Sequence, residues 1–471
     1  MSINDNSVLI KKKSSKLTQP KVEKAVSRHL NKIRNAFRKK AIDQVAFETG
    51  FIKRASSKLL GKDFLITLLI ASLDSSHSSL EKISSILTKV NRNVRITAQS
   101  IMERINNPAA PNFCLKIQEM ILNERISIIT KDMPASLFSS FSKVFIQDST
   151  VFELHEDLQE HFKGSGGRSS KSSAKIDVIY EVLAKQYVKF TLTDQKKSDS
   201  SLAEEIEDFL TENSLVIRDL GYLRIDALEK IITKSGYFLS RLKTNFSVFL
   251  DPNSDTPIEI ADCFRDEENV IDIPVYVTQQ RLSVRLVALR APQEVIDKRK
   301  RLAYATAKKQ GRTLSKNSLK LMEFTIFITN VQPEVWLPEV VGTIYGIRWQ
   351  IELLFKSWKT GMGFHYLKGI NENRIRMLIH IRLILMIIIN EIYQLASWLS
   401  QSAGKTTSMH KIFSWIRDPQ RLQQIIKGAL PAWETRFFLD TVLKSMCQQT
   451  RKRKTTMQAI YEGISYEEYY A

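Results

Sequence analysis

The sequence predicts an α/β fold flanked by helical N- and C-terminal regions. Between residues 140 and 245, short apolar runs typical of strands are interleaved with helical patterns, in the order three strands, helix, strand, helix, strand. Before residue 135 and after Gly363, apolar residues recur at helical spacing. With 471 residues, the chain is long enough for two or three domains.

Composition narrows the classes of partner. Lysine and arginine number 70 against 50 acidic residues, and the net charge of +20 favours a polyanion, either nucleic acid or an anionic membrane. The longest apolar run, residues 383–389, is too short to span a bilayer. Residues 1–40 lack the apolar stretch of a secretory signal, and three scattered cysteines fit a reducing compartment and argue against zinc. We therefore expect a cytoplasmic protein that binds nucleic acid and has no membrane segment.

The first 40 residues are strongly basic. Residues 1–20 are interpreted as a flexible arm, and helical spacing starts near residue 21. We expect this region to contact phosphates, with a solvated tail as the alternative. The candidate contacts are Lys11, Lys12, Lys13, Arg34 and Arg38.

A second basic candidate lies between the predicted helices at residues 79–90 and 96–105. The two helices and their connection, NRNVR, resemble a loose helix-turn-helix, which is a pattern that many proteins share. Arg92 and Arg95 in this connection are candidate DNA contacts.

The α/β elements are identified by alternation and by caps. Residues 187–193 alternate apolar and polar side chains, as in a half-buried strand. Ser201 and Glu204 form a capping box that predicts a helix start, and Gly221 permits the turn before the next helix. The predicted strands are residues 143–154, 176–182, 187–193, 215–219 and 237–243, and the helices start at 201 and span 225–233.

Residues 246–333 have a mixed pattern. A β-rich stretch at 270–287 is followed by a basic, helix-like segment at 297–312 and by a strand at 324–329. We interpret this region as an insertion that precedes the next helix.

The sequence YGIRWQIELLFKSWK at residues 345–359 predicts a helix with two distinct stripes. Tyr345, Arg348, Glu352 and Lys359 fall at offsets of 3, 7 and 14, which places them on one stripe about 60° wide. Pro338 suits the helix start and Gly361 its end. An ordinary amphipathic helix with a solvated charged edge is the alternative. The apolar stripe is rotated by about 100° and contains Ile344, Ile347, Ile351, Leu354, Phe355 and Trp358.

Three acidic residues are candidates for phosphoryl transfer with two metal ions. Asp148 ends the apolar part of the first strand, Asp219 closes the strand LVIRD, and Glu352 lies on the predicted helix. Carboxylates at strand ends in an α/β sheet supply the hard oxygen ligands that Mg²⁺ requires. The alternative is that each aspartate is a turn residue.

Other motifs are weaker candidates. Asp177, Asp226 and Glu229 are alternative metal ligands, although Asp226 is expected on a helix and facing solvent. The sequence GKTT at residues 404–407 is similar to part of a nucleotide-binding loop, but Leu399 stands where that loop has its first glycine. We therefore expect no nucleotide cofactor.

These motifs resemble those of the DDE transposases of bacterial insertion sequences, in the insertion-sequence-four family marked by Tyr-x2-Arg-x3-Glu-x6-Lys. The residues described above at 345, 348, 352 and 359 match that spacing in full. The sequence at 219–222, Asp-Leu-Gly-Tyr, is similar to the family's Asp-x-Gly-aromatic pattern, and Arg241 to its downstream basic residue. Asp148 is similar to the first aspartate of the family.

The resemblance implies a ribonuclease-H-like catalytic core in which Asp148, Asp219 and Glu352 hold two Mg²⁺ or Mn²⁺ ions. One metal would activate water and then a DNA 3′-hydroxyl, and the other would stabilise the leaving oxygen. The implied partners are double-stranded DNA, as transposon ends and target, and a second copy of the chain in a homodimeric synaptic complex. Physically, Arg348 and Lys359 suit phosphate clamping, and Tyr345 can donate to a phosphate or stack on a displaced base.

The resemblance also gives a domain division. After the arm of residues 1–20, the chain is expected to contain a helical DNA-end-binding domain (21–135), the first part of the core (140–245), a β-rich insertion (246–333), the glutamate-bearing part of the core (334–395) and a helical C-terminal region for oligomerisation (396–471).

One departure concerns the insertion. Some relatives place a base near the cut on a tryptophan there, whereas the strand ending at Thr329 has Phe324 and Phe327, with Trp336 beyond it. A hairpin pathway is therefore left open. Two other functions also remain open: an inactive DNA-binding relic that represses its own element, and a structure-specific nuclease with a ribonuclease-H-like core.

Overall fold

The computed structural model describes residues 19–54, 58–74, 79–123, 135–166, 170–243, 246–265, 268–367, 369–401, 405, 407–427 and 445–447. Its centre is one mixed sheet of nine strands. The strands are β1 (Lys143–Glu153), β2 (Ser173–Glu181), β3 (Gln186–Asp194), β4 (Ser214–Arg218), β5 (Tyr237–Arg241), β6 (Val248–Phe249), β7 (Val270–Val277), β8 (Leu282–Arg290) and β9 (Phe324–Thr329).

The strand order is β3-β2-β1-β4-β5-β9-β8-β7-β6. Strands β1, β2 and β3 form an antiparallel meander, whereas β4 lies parallel to β1 and β5 parallel to β4. This arrangement of the first five strands is the ribonuclease-H-like core, which confirms the fold implied by the resemblance.

The predicted insertion extends the same sheet. Strand β9 pairs antiparallel with β5, and β8, β7 and β6 follow outward from it. The β-rich character read from residues 270–287 and 324–329 is confirmed by β7, β8 and β9. The domain boundaries themselves stay predictions.

Helices cover the sheet and form the N- and C-terminal parts of the described chain. They are α1 (Gln19–Ala36), α2 (Lys39–Glu48), α3 (Gly61–Ala71), α4 (Leu80–Val90), α5 (Ala98–Ile105), α6 (Ala109–Asn123), α7 (Ala135–Phe138), α8 (Ile225–Thr233), α9 (Gln293–Lys309), α10 (Lys316–Leu321), α11 (Pro338–Tyr345), α12 (Trp349–Met362), α13 (Glu372–Gln401), α14 (Met409–Ile416) and α15 (Pro419–Lys427).

The two faces of the sheet belong to two apolar cores, because side chains alternate along a strand. Val144 and Ile146 of β1 face the core that contains α11, α12 and α13, whereas Phe145 faces the core that contains α8. Helix α13 includes the apolar run at 383–389, which is buried as a core helix, as expected. Within the described ranges, no helix is both long enough and apolar enough to cross a membrane.

Two helix ends differ from the sequence prediction. The helix expected from residue 201 is a 3₁₀ segment, Asp199–Phe209, and its N-cap is Ser198, whose hydroxyl accepts from the Ser201 amide. Ser201 is thus the third residue of the segment rather than its cap. The glutamate-bearing helix ends at Met362 and not at Gly361, because Gly363 adopts the left-handed conformation (φ 58°) that a helix C-cap requires.

Gly361 is needed for a different reason. A Cβ at this position would lie 3.1 Å from the ring of Phe413 on α14. Glycine therefore lets α12 and α14 approach closely, and it marks a packing contact instead of a helix end.

Candidate active site

The first two candidate carboxylates lie side by side because their strands are parallel. Gln147 of β1 pairs with Arg218 of β4, so the next residues, Asp148 and Asp219, are neighbours at the carboxyl end of β4. Alternation turns both away from the face of Phe145 and Val216 and toward the face on which α12 packs. The two strands thus deliver both aspartates to one place.

The third carboxylate comes from a helix that is broken within the motif. The sequence predicts one continuous helix from Pro338, but the chain forms α11, a 3₁₀ turn at Gly346–Arg348, and then α12. Glycine has low helix propensity, and a short 3₁₀ stretch inside a helix is typical of functional positions. The predicted apolar stripe is nevertheless buried in full, from Ile344 to Trp358.

Two side chains of this motif contact all three carboxylates. The Arg348 guanidinium donates through Nη1 to Asp148 Oδ2 at 3.0 Å, and its Nη2 lies 2.7 Å from Glu352 Oε1. The Tyr345 hydroxyl donates to Asp219 Oδ1 at 3.0 Å. We call Asp148, Asp219 and Glu352 the carboxylate cluster.

The cluster is electrostatically strained. Burial raises the pKa of Asp148 to about 6; the nearby charges of Asp219 and Glu352 act in the same direction, while Arg348 and the Ser149 amide oppose it. Although burial lowers the pKa of Arg348, the surrounding Tyr345 and the three carboxylates raise it above its ordinary value. The cluster therefore holds three carboxylates against one guanidinium and one neutral hydroxyl, which leaves it with excess negative charge.

Tyr345 is held neutral in the same environment. Burial raises its pKa, the charge of Asp219 and the hydrogen bond to it add to this, and Arg348 and Arg241 oppose it. The ring of Tyr345 packs at 5.2 Å from that of Phe327 in β9. Arg241, predicted as the downstream basic residue, therefore lies near enough to act on this hydroxyl.

The donor set fits a divalent cation by its chemistry. All three cluster residues offer carboxylate oxygens, the ligands of Mg²⁺ and Mn²⁺, and the raised pKa of Asp148 is relieved by added positive charge. Among the described residues, no three His, Cys, Asp or Glu side chains form a group that could hold a metal ion. Arg348 pairs with both Asp148 and Glu352 and supplies the positive charge instead.

The remaining predicted contacts lie farther out. Lys359 is partly buried on α12, two turns beyond Glu352 and on the same side of the helix. Exposed arginines in the N-terminal helical region include Arg34, Arg38, Arg92 and Arg95. Lys11, Lys12 and Lys13 are outside the described residues.

The alternative residues are placed elsewhere. Asp226 is exposed and pairs with Arg224, as expected for a helix residue that faces solvent. Asp177 is 1% exposed and belongs to the opposite side of the sheet, where it accepts a hydrogen bond from Gln147. Sequence reasoning considered Asp177 only as a metal ligand and did not identify Gln147, although strand alternation separates both from Asp148.

The aromatic residues of the insertion strand are buried. Phe327 is 1% exposed and Trp336 is fully buried, and the Trp336 indole donates to the carbonyl of Leu137 at 2.8 Å. Both side chains therefore belong to the core and are not presented to a displaced base.

Comparison with known proteins gives a consistent result. The model of the family described as "Transposase DDE domain" matches residues 139–388. The transposase for insertion sequence element IS231E of Bacillus thuringiensis subsp. finitimus is 26% identical over 403 residues, covering 80% of this chain and 82% of the relative. That for IS231C of Bacillus thuringiensis subsp. berliner is 26% identical over 455 residues, covering 90% and 93%. The transposase for IS1151 of Clostridium perfringens is 24% identical over 439 residues, covering 89% and 91%.

Among solved structures, the chain is similar to the piggyBac transposase in a cryo-EM synaptic complex with hairpin DNA. The TM-score is 0.46 at 10% identity, and the match covers 90% of this chain and 87% of that one.

Proposed function

The chain belongs to the DDE transposases of bacterial insertion sequences, and we propose that Asp148, Asp219 and Glu352 form its catalytic centre. The family match spans all three residues. The protein is thus an enzyme that acts on DNA, and its family works with divalent metal ions. The proposal adds which residues carry the chemistry and how they are held.

One observation carries the proposal: Arg348 and Tyr345, from a single motif, contact all three carboxylates, which come from two strands and a helix. Like charges held close together on partly buried side chains destabilise a fold, and such a cost is typical of functional sites. The function that three neighbouring carboxylates suit best is the binding of cations.

Two Mg²⁺ or Mn²⁺ ions, when bound, would supply an activated water or 3′-hydroxyl and stabilise the leaving oxygen of the DNA strand. Asp148 serves as a ligand in its ionised form, which its pKa of about 6 makes the main form at neutral pH. Arg348 must release Asp148 and Glu352, and its planar guanidinium is then free to bind a DNA phosphate through two hydrogen bonds. Tyr345 keeps its hydroxyl proton and orients Asp219 by donating to it.

The wider DNA-binding surface is proposed from charge. Lys359 and Arg241 flank the centre and suit phosphates near the scissile bond. Arg34, Arg38, Arg92 and Arg95, with the arm at Lys11, Lys12 and Lys13, suit the transposon end. We propose that a homodimer synapses two ends and transfers them to target DNA, at the nucleoid in the bacterial cytoplasm.

The experiment is strand cleavage of a duplex carrying the terminal repeat, with Mg²⁺, Mn²⁺ or chelator. Asp148→Asn, Asp219→Asn and Glu352→Gln are each expected to reduce cleavage by about 10³-fold or more, with end binding in a gel-shift assay retained. Asp226→Asn is the matched control. Because Asp226 is exposed on α8, this variant should cleave DNA at the normal rate. Cleavage by any of the three variants at the wild-type rate contradicts the assignment.

The same assay separates the alternative functions. A repressor relic would bind ends without cleaving them in any metal, and a structure-specific nuclease would cleave branched DNA without requiring the repeat. The presence of all three acidic residues in one cluster supports the transposase.

A further inference from the structure

A buried polar layer lies directly behind the carboxylate cluster, on the other face of the sheet. It consists of Gln147, Asp177, Arg218 and Tyr222, each at most 3% exposed, and we call it the back-face layer. Gln147 immediately precedes Asp148, and Arg218 immediately precedes Asp219. Because side chains alternate along a strand, Gln147 and Arg218 point away from the cluster, although each is bonded through the backbone to one of its aspartates.

Asp177 of β2 is the centre of this layer. Its Oδ2 accepts a hydrogen bond from Gln147 Nε2 at 2.9 Å, and its Oδ1 accepts one from the Tyr222 hydroxyl at 2.5 Å. Tyr222 closes the 3₁₀ turn that Asp219 starts as its N-cap. One buried carboxylate thus bonds to the residue before the first catalytic aspartate and to the turn after the second.

Arg218 adds a charge to the same layer. Burial lowers the pKa of its guanidinium to about 10, and the negative charge of Asp177 opposes that shift. None of its three side-chain nitrogens has a hydrogen-bond partner among the described residues. The negative charge of Asp177 therefore balances that of a buried cation.

This layer is costly for stability. Burial raises the pKa of Asp177 to about 7 even though the Tyr222 and Gln147 hydrogen bonds and Arg218 oppose the shift. Apolar side chains of similar size commonly stabilise a protein as well as a buried ionic group does, or better. The hydrogen bonds that are made in this layer join Asp177 to Gln147 and Tyr222, and buried hydrogen bonds of this kind restrict a site to one geometry, which is what adjacent metal ligands need.

We propose that Asp177 is a positioning residue that fixes Asp148 and Asp219 relative to each other, through Gln147 on β1 and through Tyr222 in the turn that follows β4. The inference rests on the proposed catalytic role of the two aspartates. Groups that orient metal ligands from behind commonly change metal affinity or activity by 10- to 100-fold when they are replaced.

Two variants test the proposal. In Asp177→Asn, one acceptor oxygen becomes a donor, so one of the two bonds is lost. Tyr222→Phe removes only the hydroxyl, so this variant should fold even if Asp177→Asn does not. The matched control is Glu181→Gln, a buried carboxylate four residues along β2 that accepts from the Val144, Leu183 and Ala184 amides, away from the cluster.

The readouts are Mn²⁺ affinity, measured as the metal-induced rise in melting temperature, and the single-turnover cleavage rate with saturating terminal-repeat DNA. Asp177→Asn and Tyr222→Phe should each weaken Mn²⁺ binding and slow cleavage by about 10-fold or more, with the Kd for the transposon end unchanged. The double variant should lose less than the product of the two effects, since both changes act through the hydrogen bonds of one side chain, that of residue 177. Glu181→Gln should lower the melting temperature only.

Wild-type Mn²⁺ affinity and cleavage rate in folded Tyr222→Phe would overturn the proposal, and so would equal metal effects in Glu181→Gln. A different result would show that the proposed catalytic assignment itself is wrong: Asp148→Asn would then retain metal binding and cleavage, independently of the result for the Asp177 variant.

Discussion

Replacing Asp148 with asparagine is expected to remove catalysis and to stabilise the protein at neutral pH. The side chain is 18% exposed, and its pKa is raised from 3.8 to about 6 in the folded protein. The folded state therefore holds this proton more tightly than the unfolded chain. The stability that results is complete below pH 3.8 and is lost as the pH rises through 6.

The magnitude follows from linkage. Full ionisation costs the metal-free wild type about 3 kcal/mol, of which about 1.5 kcal/mol is lost between pH 5 and pH 8. The variant lacks this loss. Its stability relative to wild type should accordingly improve by about 1.5 kcal/mol over that interval. The raised pKa of Asp177 is present in both proteins, so its contribution cancels in the comparison.

The assay is urea unfolding followed by circular dichroism at pH 5 and pH 8, with chelator present. Asp226→Asn serves as the control, because its exposed carboxylate should give no comparable pH-dependent gain. At pH 8, Mn²⁺ should raise the free energy of unfolding of the wild type but not that of Asp148→Asn. A difference between wild type and variant that does not change with pH would refute the electrostatic reasoning.

Three further predictions follow from the same geometry. Tyr345→Phe should slow cleavage by about 10-fold or more at unchanged end affinity, because Asp219 loses its hydrogen-bond donor; a normal single-turnover rate would contradict this. Gly361→Ala should lower the free energy of unfolding by about 1–3 kcal/mol, because the new methyl group meets Phe413 at 3.1 Å; Thr360→Ala, its exposed neighbour, is the control in thermal melts. End binding should weaken steeply with salt, and a flat plot of log K against log salt would exclude extensive phosphate contact.

Much of the fold could be predicted because local patterns determine it. Short apolar runs and alternation identified β1 to β5, and the sequence pattern also gave the bounds of the helix Ile225–Thr233 as the structure has them. The stripe of the glutamate helix also gave its buried face. These features depend on residues that are close in sequence, which is why a single chain reveals them.

Two predictions about the glutamate-bearing helix were wrong. Glycine is typical of a helix end, but the role of Gly361 is determined by its close approach to Phe413, some fifty residues later in the chain. The motif was expected to be one helix, and the 3₁₀ turn at Gly346–Arg348 interrupts it. Both glycines were visible in the sequence, but the contact of Gly361 with Phe413 was not.

The site shows the same division. The spacing of Tyr345, Arg348 and Glu352 identified one side of the cluster. The ends of the predicted strands, together with the family resemblance, gave Asp148 and Asp219. The expectation that Arg348 would face phosphate did not include its pairing with Asp148 at 3.0 Å, because that contact joins residues 200 positions apart.

The most direct test of the central claim is anomalous scattering from crystals of the protein bound to terminal-repeat DNA and Mn²⁺. The account expects two Mn²⁺ peaks about 3.5–4 Å apart, held between them by Asp148, Asp219 and Glu352. It also expects the Arg348 side chain to have turned from the carboxylates to a phosphate. Metal peaks that none of the three carboxylates contacts, in crystals whose DNA is nevertheless cleaved, would contradict it.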